Sequence, residues 1–370
     1  MTPSICLVAP HGEGAVRSRL GLPTDLGFGG AEVQTALIGV GLAARGYAIT
    51  FLCRARPQAE REERLGGVRL LRMPTGRRFP PGLRVLTDLG AALDAAGAAI
   101  VYQRCAQPLT GMLAWQCRRR GRRFVFAVAN DRDVDGRARR ALGPLRHALF
   151  RSGLRRADRI VVQSRTQMDL LPAALRARAV EIPSAFDLAG IEPRPEPPEP
   201  AILWIGNLLA KKRPDLLLAL ARRLPHVRFI AVAPDAGDTG LATRFRDEAA
   251  TLPNVERHGR IPQGEMGRLY ARARLLLNTS EAEGVPNTFL EAWARTVPVV
   301  SLGIDPDGVI ERLGLGLVAT PDSAGTVLEG FLQDGAARDE AGRRARAHVT
   351  RRHALPHVLD RYQELFAALA

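Results

Sequence analysis

Short apolar segments alternate with helical segments along the first half of this chain, and the alternation leaves few folds open. Strand-like apolar segments stand at residues 4–9, 48–53, 99–102, 124–128 and 159–163. Between the first two, residues 29–46 have the apolar spacing of a helix and end at Arg45-Gly46, a helix stop signal. Strands that alternate with helices form a parallel sheet covered on both faces. The pattern therefore predicts the α/β class with a doubly wound sheet.

The same pattern restarts after a proline-rich stretch, which indicates a second domain. Residues 192–200 read EPRPEPPEP, a composition that suits an extended linker rather than a helix or a sheet interior. Beyond it, strands are predicted at 201–206, 227–233, 273–278 and 298–301, with helices at 214–224 and near 262–273. We expect two Rossmann-like domains, 1–187 and 188–354, with an amphipathic helix at about 355–370 packing back onto the first.

The positive charge of the chain is concentrated in its first half. The net charge is +15; residues 1–185 hold 30 basic and 14 acidic side chains, whereas residues 186–370 hold 23 and 24. The densest runs are RRRGRR at 118–123 and the arginines between 137 and 159. Such a field attracts an acidic membrane surface, a lipid phosphate or nucleic acid. A solvated surface that reflects biased codon usage is an equally open interpretation.

Hydropathy and cysteine spacing exclude other classes. No apolar run approaches the eighteen or so residues of a membrane helix. The N-terminal segment MTPSICLVAP has no basic leader and resembles a first strand, so a cytoplasmic location is expected. The four cysteines lack a metal-type spacing, and we interpret them as reduced thiols. We expect neither a metal ion nor a cofactor.

The loop that follows the first strand of the second domain contains two unusual residues. It reads GNLLAKKRPD, and Lys211 and Lys212 are the only lysines in a chain that otherwise uses arginine. An ammonium group is a compact point charge that suits a phosphate. Ligands of parallel sheets bind beyond the carboxyl ends of the strands, so this position favours a phosphate site over chance.

A second unusual loop lies at 280–301, SEAEGVPNTFLEAWARTVPVVS. Its GVPN turn leads into a helix predicted to begin near Asn287 or Thr288, either of which could cap it. Backbone amides at a helix start attract anions. Glu291 on the helix could accept hydrogen bonds from ribose hydroxyls, and Glu283 before it could face a sugar. Taken alone, two glutamates at this separation are common by chance and are better explained as ordinary solvated acids.

Glycines form the third candidate. In GFGGAE, Gly29 and Gly30 stand at a predicted helix start and could let the backbone approach a diphosphate, although a plain flexible loop explains them equally well. Two looser glycine patterns do not predict a dinucleotide site. GVGLAA at 39–44 lies inside a helical pattern, and GLGLVA at 314–319 has no clear strand-turn-helix context.

In combination these pieces resemble the retaining GT-B glycosyltransferases, specifically glycosyltransferase family 4, over most of the chain. The resemblance rests on the order of GGAE at 29–32, a strand leading to Lys212, Glu283 and Glu291 separated by seven residues, and PVV at 298–300. ADRIVVQS and EIPSAFD support it. It implies two Rossmann-like domains facing a cleft and metal-independent transfer of a sugar from a nucleotide diphosphate, with UDP favoured over GDP and retention of configuration.

The resemblance also implies residue roles. Lys212 neutralises the leaving diphosphate together with amides of the second domain, Glu283 orients the donor sugar, Glu291 holds the ribose, and the backbone near Ile261 borders the base. The expected donor-binding residues are Gly29, Gly30, Asn207, Lys211, Lys212, Ile261, Val285, Pro286, Asn287, Thr288 and Glu291.

The chain departs from the family pattern at several positions. Asn207 stands where a phosphate-binding arginine is usual, so Lys212 should carry more of the charge, with Lys211 or Arg213 as helpers. After the strand FVFAV the family often has a histidine, and this chain has ANDRD, where Asn130 or Asp131 is expected to substitute. Further along, Thr296 and Ala185 replace glycines, which puts the local geometry in question rather than the family.

The expected acceptor is a glycan, a lipid-linked molecule or a small molecule, used in cell-surface polysaccharide or glycoconjugate synthesis and bound by the first domain. Peripheral association with an acidic inner membrane is a hypothesis that rests on Arg118, Arg119, Arg120, Arg122 and Arg123.

Two other classes are alternatives. A nucleic-acid-binding protein would use the same basic half, but aromatic residues make up only 5% of the chain, too few for a face of interleaved basic and aromatic residues. An NAD-dependent oxidoreductase needs an acidic residue at the end of the second strand, which here ends in Cys53-Arg54.

Overall fold

The structure is a computed structural model that describes residues 2–56, 58–73, 83–194, 201–235 and 239–370. They form two compact units. Unit 1 comprises Met1–Asp187 with Ala354–Ala370, and unit 2 comprises Leu188–His353. Most of the predicted linker, residues 195–200, lies outside the described residues.

Unit 1 is built on one eight-stranded sheet. Its strands are β1 Ile5–Val8, β2 Ile49–Arg54, β3 Glu62–Leu65, β4 Val68–Met73, β5 Ile100–Arg104, β6 Arg123–Ala127, β7 Arg159–Val162 and β8 Ala179–Glu181. The strand order is β3-β4-β2-β1-β5-β6-β7-β8. The pairings are parallel except that β3 runs antiparallel to β4.

Helices cover both faces of this sheet. They are α1 Glu13–Arg19, α2 Gly30–Ala44, α3 Leu83–Ala96, α4 Leu109–Arg119, α5 Ala138–Leu142, α6 Pro144–Arg156, α7 Arg165–Leu170, α8 Ala173–Arg176 and the last helix of the chain, α16 Leu355–Ala367. One core lies under α2 and α16 around Tyr102 and Phe366, and the other lies under α3, α4 and α6 around Phe126 and Phe150. Gly39 is a packing glycine of α2, because a Cβ there would lie 2.3 Å from the Phe51 ring.

Unit 2 repeats the plan with six strands. They are β9 Ala201–Ile205, β10 Arg228–Val232, β11 Val255–His258, β12 Ala273–Asn278, β13 Val299–Ser301 and β14 Gly316–Val318. All pairings are parallel, in the order β11-β10-β9-β12-β13-β14. The helices are α9 Pro214–Arg223, α10 Thr239–Ala250, α11 Met266–Arg272, α12 Asn287–Ala294, α13 Val309–Leu313, α14 Ala324–Gln333 and α15 Gly335–Arg352.

Several elements were not predicted because their sequences are polar or short. The predicted glycine-containing loop after β1 includes α1. The edge strand β11 reads VERH; its Glu256 is ion-paired with Arg272 and Arg228, and the hydrogen bonds from Arg272 lower the pKa of this carboxyl to about 2. The helix predicted near 262–273 is a 3₁₀ turn, Gln263–Glu265, followed by α11.

The strand order places the loops of unit 2. β9 pairs with β10 on one side and with β12 on the other, so the connections leaving β9 and β12 diverge at this point of the sheet. In open parallel sheets such a switch point opens a crevice at the carboxyl ends of the strands. The loops 206–213 and 279–286 leave those two ends.

Two helical glycines of unit 2 test its packing. A Cβ at Gly342 of α15 would lie 2.2 Å from the Thr296 carbonyl oxygen, whereas a Cβ at Gly330 of α14 would meet nothing within 4 Å. We expect Gly342→Ala to lower the free energy of unfolding by about 1–3 kcal/mol because backbone must move. Gly330→Ala should raise it by about 1 kcal/mol through helix propensity.

Urea unfolding followed by tryptophan fluorescence measures both, since Trp204 and Trp293 are buried in unit 2. Equal effects of the two substitutions would contradict the packing of α15 against the turn at Thr296.

Candidate active site in unit 2

The loop after β9 is a tight turn that ends at Lys212. Gly206 begins it, where a Cβ would lie 2.9 Å from the Trp204 ring. Residues Ala210–Lys212 form one 3₁₀ turn, Arg213 adopts a left-handed φ of 49°, and Pro214 opens α9. The backbone therefore reverses direction immediately after Lys212 and keeps its side chain at the carboxyl edge of the sheet.

Hydrogen bonds tie this turn to the loop after β12. Trp204 donates its indole Nε1–H to Thr279 Oγ1 at 2.9 Å, and the Thr279 hydroxyl donates to the Lys212 carbonyl at 2.6 Å. The Glu281 N–H donates to the Lys211 carbonyl at 2.9 Å. Both loops of the switch point are thus held together by backbone atoms of the two lysines.

The side chains of the two loops meet as well. Lys212 Nζ forms an ion pair with Glu283 Oε1, and both side chains are largely buried, with 19% and 16% of their surface exposed. Arg213 instead forms ion pairs with Asp215, Nη2 to Oδ2 at 2.7 Å, and with Glu281, Nη1 to Oε1 at 3.5 Å. The guanidinium charge is neutralised there, so of the two predicted helpers for Lys212 only Lys211 carries an unopposed charge within the described residues.

The helix α12 begins at Asn287, as predicted, but it is not capped as predicted. Pro286 occupies the N-cap position with extended backbone and offers no side-chain acceptor, so neither Asn287 nor Thr288 is the cap. Both lie in the first helical turn and are half-buried. Phe289 and Trp293 anchor the buried face of the helix. The positive end of the α12 dipole is therefore at the carboxyl edge of the sheet, and Glu283 precedes it closely in the sequence.

Glu291 is held by two residues that sequence reasoning missed. The Tyr270 hydroxyl donates to Glu291 Oε2 at 3.0 Å, and the Arg295 guanidinium lies over the Tyr270 ring, 5.1 Å from its centre. Burial raises the pKa of the Glu291 carboxyl. Burial and the negative charge of Glu291 raise the pKa of the Tyr270 hydroxyl. A carboxylate in this setting gains from additional hydrogen-bond donors.

The other predicted residues of unit 2 follow strand ends. Asn207 is exposed two residues after β9, and Ile261 is half-buried three residues after β11. Val285 is half-buried and Pro286 is buried in the connection from β12 to α12. The loops after β9, β11 and β12 all leave the carboxyl edge of the sheet, so these residues belong to the same edge as Lys212.

In unit 1 the predicted glycines stand at a helix start. Gly29 is the N-cap residue of α2, Gly30 is its first residue, and both are exposed. The Glu32 carboxylate accepts a hydrogen bond from the Gly29 N–H at 3.1 Å. A Cβ on Gly29 would lie 3.0 Å from that carboxylate.

Asn130 and Asp131 lie in the loop after β6 and are both fixed by hydrogen bonds. Asn130 Oδ1 accepts from the Arg132 N–H at 3.0 Å, and Asp131 Oδ1 accepts from Gln167 Nε2 at 3.0 Å. The buried Asp133 carboxylate accepts from two loop amides, and burial raises its pKa. Hydrogen bonds to other residues of unit 1 therefore hold this loop in place.

The chain matches two family models. Residues 29–185 match the Glycosyl transferase 4-like domain, and residues 199–333 match Glycosyl transferases group 1. Among curated proteins, none matches the chain in sequence. The two domains together span most of the chain, which therefore belongs to the group 1 glycosyltransferases of GT-B fold. It is an enzyme of the glycosyltransferase class, and the family assignment supports neither the NAD-dependent nor the nucleic-acid-binding alternative.

Solved structures show the same fold. Sucrose-phosphate synthase from Thermosynechococcus elongatus is 20% identical, with a TM-score of 0.79, and covers 99% of this chain and 100% of its own. HepE of Anabaena, in complex with UDP and glucose, is 15% identical with a TM-score of 0.78 and 99% coverage of both chains. The E. coli trehalose-6-phosphate structure bound with UDP-2-fluoro glucose is 13% identical, with a TM-score of 0.73 and 98% coverage of both.

Among the described residues, no helix is long and apolar enough to cross a bilayer.

The raised pKa of Glu291 predicts a pH-dependent cost in stability. The folded chain binds this proton more tightly than the unfolded chain, so stability falls as the pH rises from the unfolded value of about 4.3 through the folded value. Glu291→Gln keeps an acceptor for Tyr270 without the charge. We expect this variant to be more stable than wild type at pH 8, with a difference that shrinks towards pH 5.

Urea unfolding at several pH values, read by tryptophan fluorescence, measures the difference. Glu265→Gln, at an exposed position of the same unit, is the control. A wild type that is more stable than Glu291→Gln at every pH would contradict the assignment.

Proposed function

We propose that this enzyme transfers a sugar from a UDP-sugar to an acceptor with retention of anomeric configuration. The observation that carries the proposal is the pairing of Lys212 with Glu283 at the switch point of unit 2, with Glu291 following on α12. Two structures of the same fold support the choice of donor, since one is a complex with UDP and glucose and the other with UDP-2-fluoro glucose.

In the proposed donor site, different residues bind different parts of the UDP-sugar. Lys212 and the positive end of α12 stabilise the diphosphate as it leaves, and Lys211 adds charge. Glu283 accepts hydrogen bonds from hydroxyls of the donor sugar once a phosphate competes for its lysine partner. Glu291 accepts hydrogen bonds from the ribose, and Ile261 borders the base. These cations occupy the place that a metal ion would otherwise take, so we propose a reaction without metal or cofactor.

Retention follows if the acceptor attacks from the face that the phosphate leaves. The departing phosphate oxygen then takes the acceptor proton, and no separate protein base is needed. In this proposal Gly29 and Gly30 bring backbone close to the diphosphate, and Asn130 or Asp131 contacts the reacting sugar. The acceptor binds to unit 1 and serves polysaccharide or glycoconjugate synthesis.

Adjacent lysines give a matched test of the donor site. We expect Lys212→Met to lower kcat/KM for UDP-sugar turnover by roughly 100- to 1,000-fold, the usual loss when a donor to developing charge is removed. Lys211→Met removes the same charge one residue earlier and should cause a much smaller loss, because its ammonium has no contact with Glu283.

Turnover is measured as UDP release from a panel of UDP-sugars, with UDP binding by calorimetry as a second readout. Equal losses for the two variants would show that only the general field matters, and would contradict the assignment of Lys212.

The basic run at 118–123 is partly neutralised within unit 1. Arg120 and Arg122 both form ion pairs with Asp94, at 2.8 and 3.3 Å, and Arg123 pairs with Asp158 at 3.2 Å. Exposed ion pairs of this kind weaken the field that a membrane would experience. The run as a whole is therefore a weaker candidate for membrane contact than its sequence suggests.

The helices α4 and α6 offer a stronger surface. They pack closely, since a Cβ at Gly111 would lie 2.2 Å from the Leu149 carbonyl oxygen. Residues 136–157 contain seven arginines and no acid. Trp115 on α4 and Leu145 on α6, which is 75% exposed, are large apolar side chains that face solvent. We propose that arginines and apolar side chains of this pair bind an acidic membrane surface that carries a lipid-linked acceptor.

Vesicle binding tests this surface. Each arginine near an acidic bilayer contributes about 1 kcal/mol, so Arg146→Gln/Arg151→Gln should weaken binding to phosphatidylglycerol vesicles roughly thirtyfold. Arg61→Gln/Arg64→Gln removes two exposed charges at the opposite edge of the sheet and should change binding little. Sedimentation with vesicles at low salt measures both. Undiminished binding after the α6 substitutions would refute the proposed surface.

A further inference from the structure

A groove of about 690 Å³ in unit 2 has four arginines among its nine lining residues. Arg343, Arg346 and Arg351 line it from one face of α15, and Arg194 lines it from the segment before β9. Asp339 is the acid among the lining residues. The volume is that of a small-molecule site.

The groove lies at the amino-terminal edge of the sheet. Arg194 donates to the carbonyls of Ala273 and Arg274, at 3.0 Å each, where β12 begins. Thr296, which also lines the groove, stands in the turn that precedes β13. Lys212 and the other proposed donor-site residues follow the carboxyl ends of the strands. The groove is therefore separate from the donor site and is called here the amino-edge groove.

Arginines outnumber acids around the amino-edge groove, and on its rim Arg343 is ion-paired with Glu340 at 2.6 Å. Asp339 is ion-paired with buried Arg194 at 3.0 Å. Arg338 is buried close by, and burial together with Arg274 and Arg194 lowers its pKa, which Asp339 and Asp334 only partly offset. The Nε atoms of Arg338 and Arg274 are buried without a hydrogen-bond partner among the described residues. Clustered like charges of this kind are stabilised by a neighbouring anion.

The rim of the groove is arranged for more than one negative charge. Arg343 and Arg351 are exposed on α15, and eight residues of helix separate them by roughly 12 Å, with Arg346 between. Nearby His348 has a pKa lowered to about 4 by burial and then by Arg352, Arg351 and Arg312. A guanidinium group can donate two parallel hydrogen bonds to the oxygens of one phosphate.

We propose that the amino-edge groove binds a small soluble phosphate compound with two or more negative charges. This second site is independent of the donor site, and its occupant neutralises the arginines under α15. The amino-edge groove lies at the edge of the unit 2 sheet opposite to the proposed donor site.

Calorimetric titration of the full chain with inorganic pyrophosphate tests the proposal. Arg343→Gln/Arg351→Gln removes two exposed rim charges, and Arg344→Gln/Arg352→Gln removes two exposed charges from the same helix outside the groove lining. We expect the rim variant to bind about tenfold more weakly than wild type, and the control variant to bind like wild type. Repeating each titration in Lys212→Met protein excludes pyrophosphate bound at the donor site.

Three results would overturn the proposal: no binding by wild type, equal weakening in both double variants, or loss of all binding with Lys212→Met alone. Glycerol 3-phosphate and phosphatidic acid vesicles distinguish the source of the phosphate. The rim variant should weaken binding of glycerol 3-phosphate and leave vesicle binding unchanged. Weakened vesicle binding without any effect on glycerol 3-phosphate would reject a soluble ligand.

Discussion

The proposed site depends on the direct parallel pairing of β9 with β12, two strands that are far apart in sequence. In register, Trp204 of β9 lies beside Leu277 of β12. The Trp204 indole then reaches Thr279, whose hydroxyl holds the carbonyl of Lys212. One ladder and two hydrogen bonds thus set the distance between a lysine on one connection and a glutamate on another. Because both connections leave the same switch point, the crevice and its charges arise from one feature of topology.

The same arrangement keeps two carboxylates in different electrostatic states. Glu283 has an ammonium partner in Lys212, whereas Glu291 has the Tyr270 hydroxyl and a guanidinium that lies over the tyrosine ring. In the proposed site, a phosphate of the ligand replaces the Glu283 carboxylate as the partner of Lys212. A half-buried carboxylate with one side-chain donor favours added hydroxyl donors instead. Two glutamates separated by seven residues can therefore take different parts of one ligand.

Much of the fold followed from the sequence because its central strands are apolar and regularly spaced. The six central strands β1, β2, β5, β9, β10 and β12 lie where the pattern predicted them, within two residues at each end. Polar elements were missed, as α1 and β11 show, since their stability comes from ion pairs and edge position rather than from periodicity. In the site, Lys212 was found by its rarity and Glu291 by motif. Tyr270 and Thr279 were not, because each acts only through contacts made in the folded chain.

Glu291 connects ligand binding to stability. Its raised pKa shows that unit 2 holds the ionised carboxylate at a cost when Tyr270 is its hydrogen-bonding partner. A ribose that donates further hydrogen bonds would favour the ionised form and lower that cost. By linkage, a ligand that lowers a raised pKa binds more tightly as the pH rises through it. The desolvation cost of the ionised Glu291 carboxylate is then offset by the hydrogen bonds of the proposed donor.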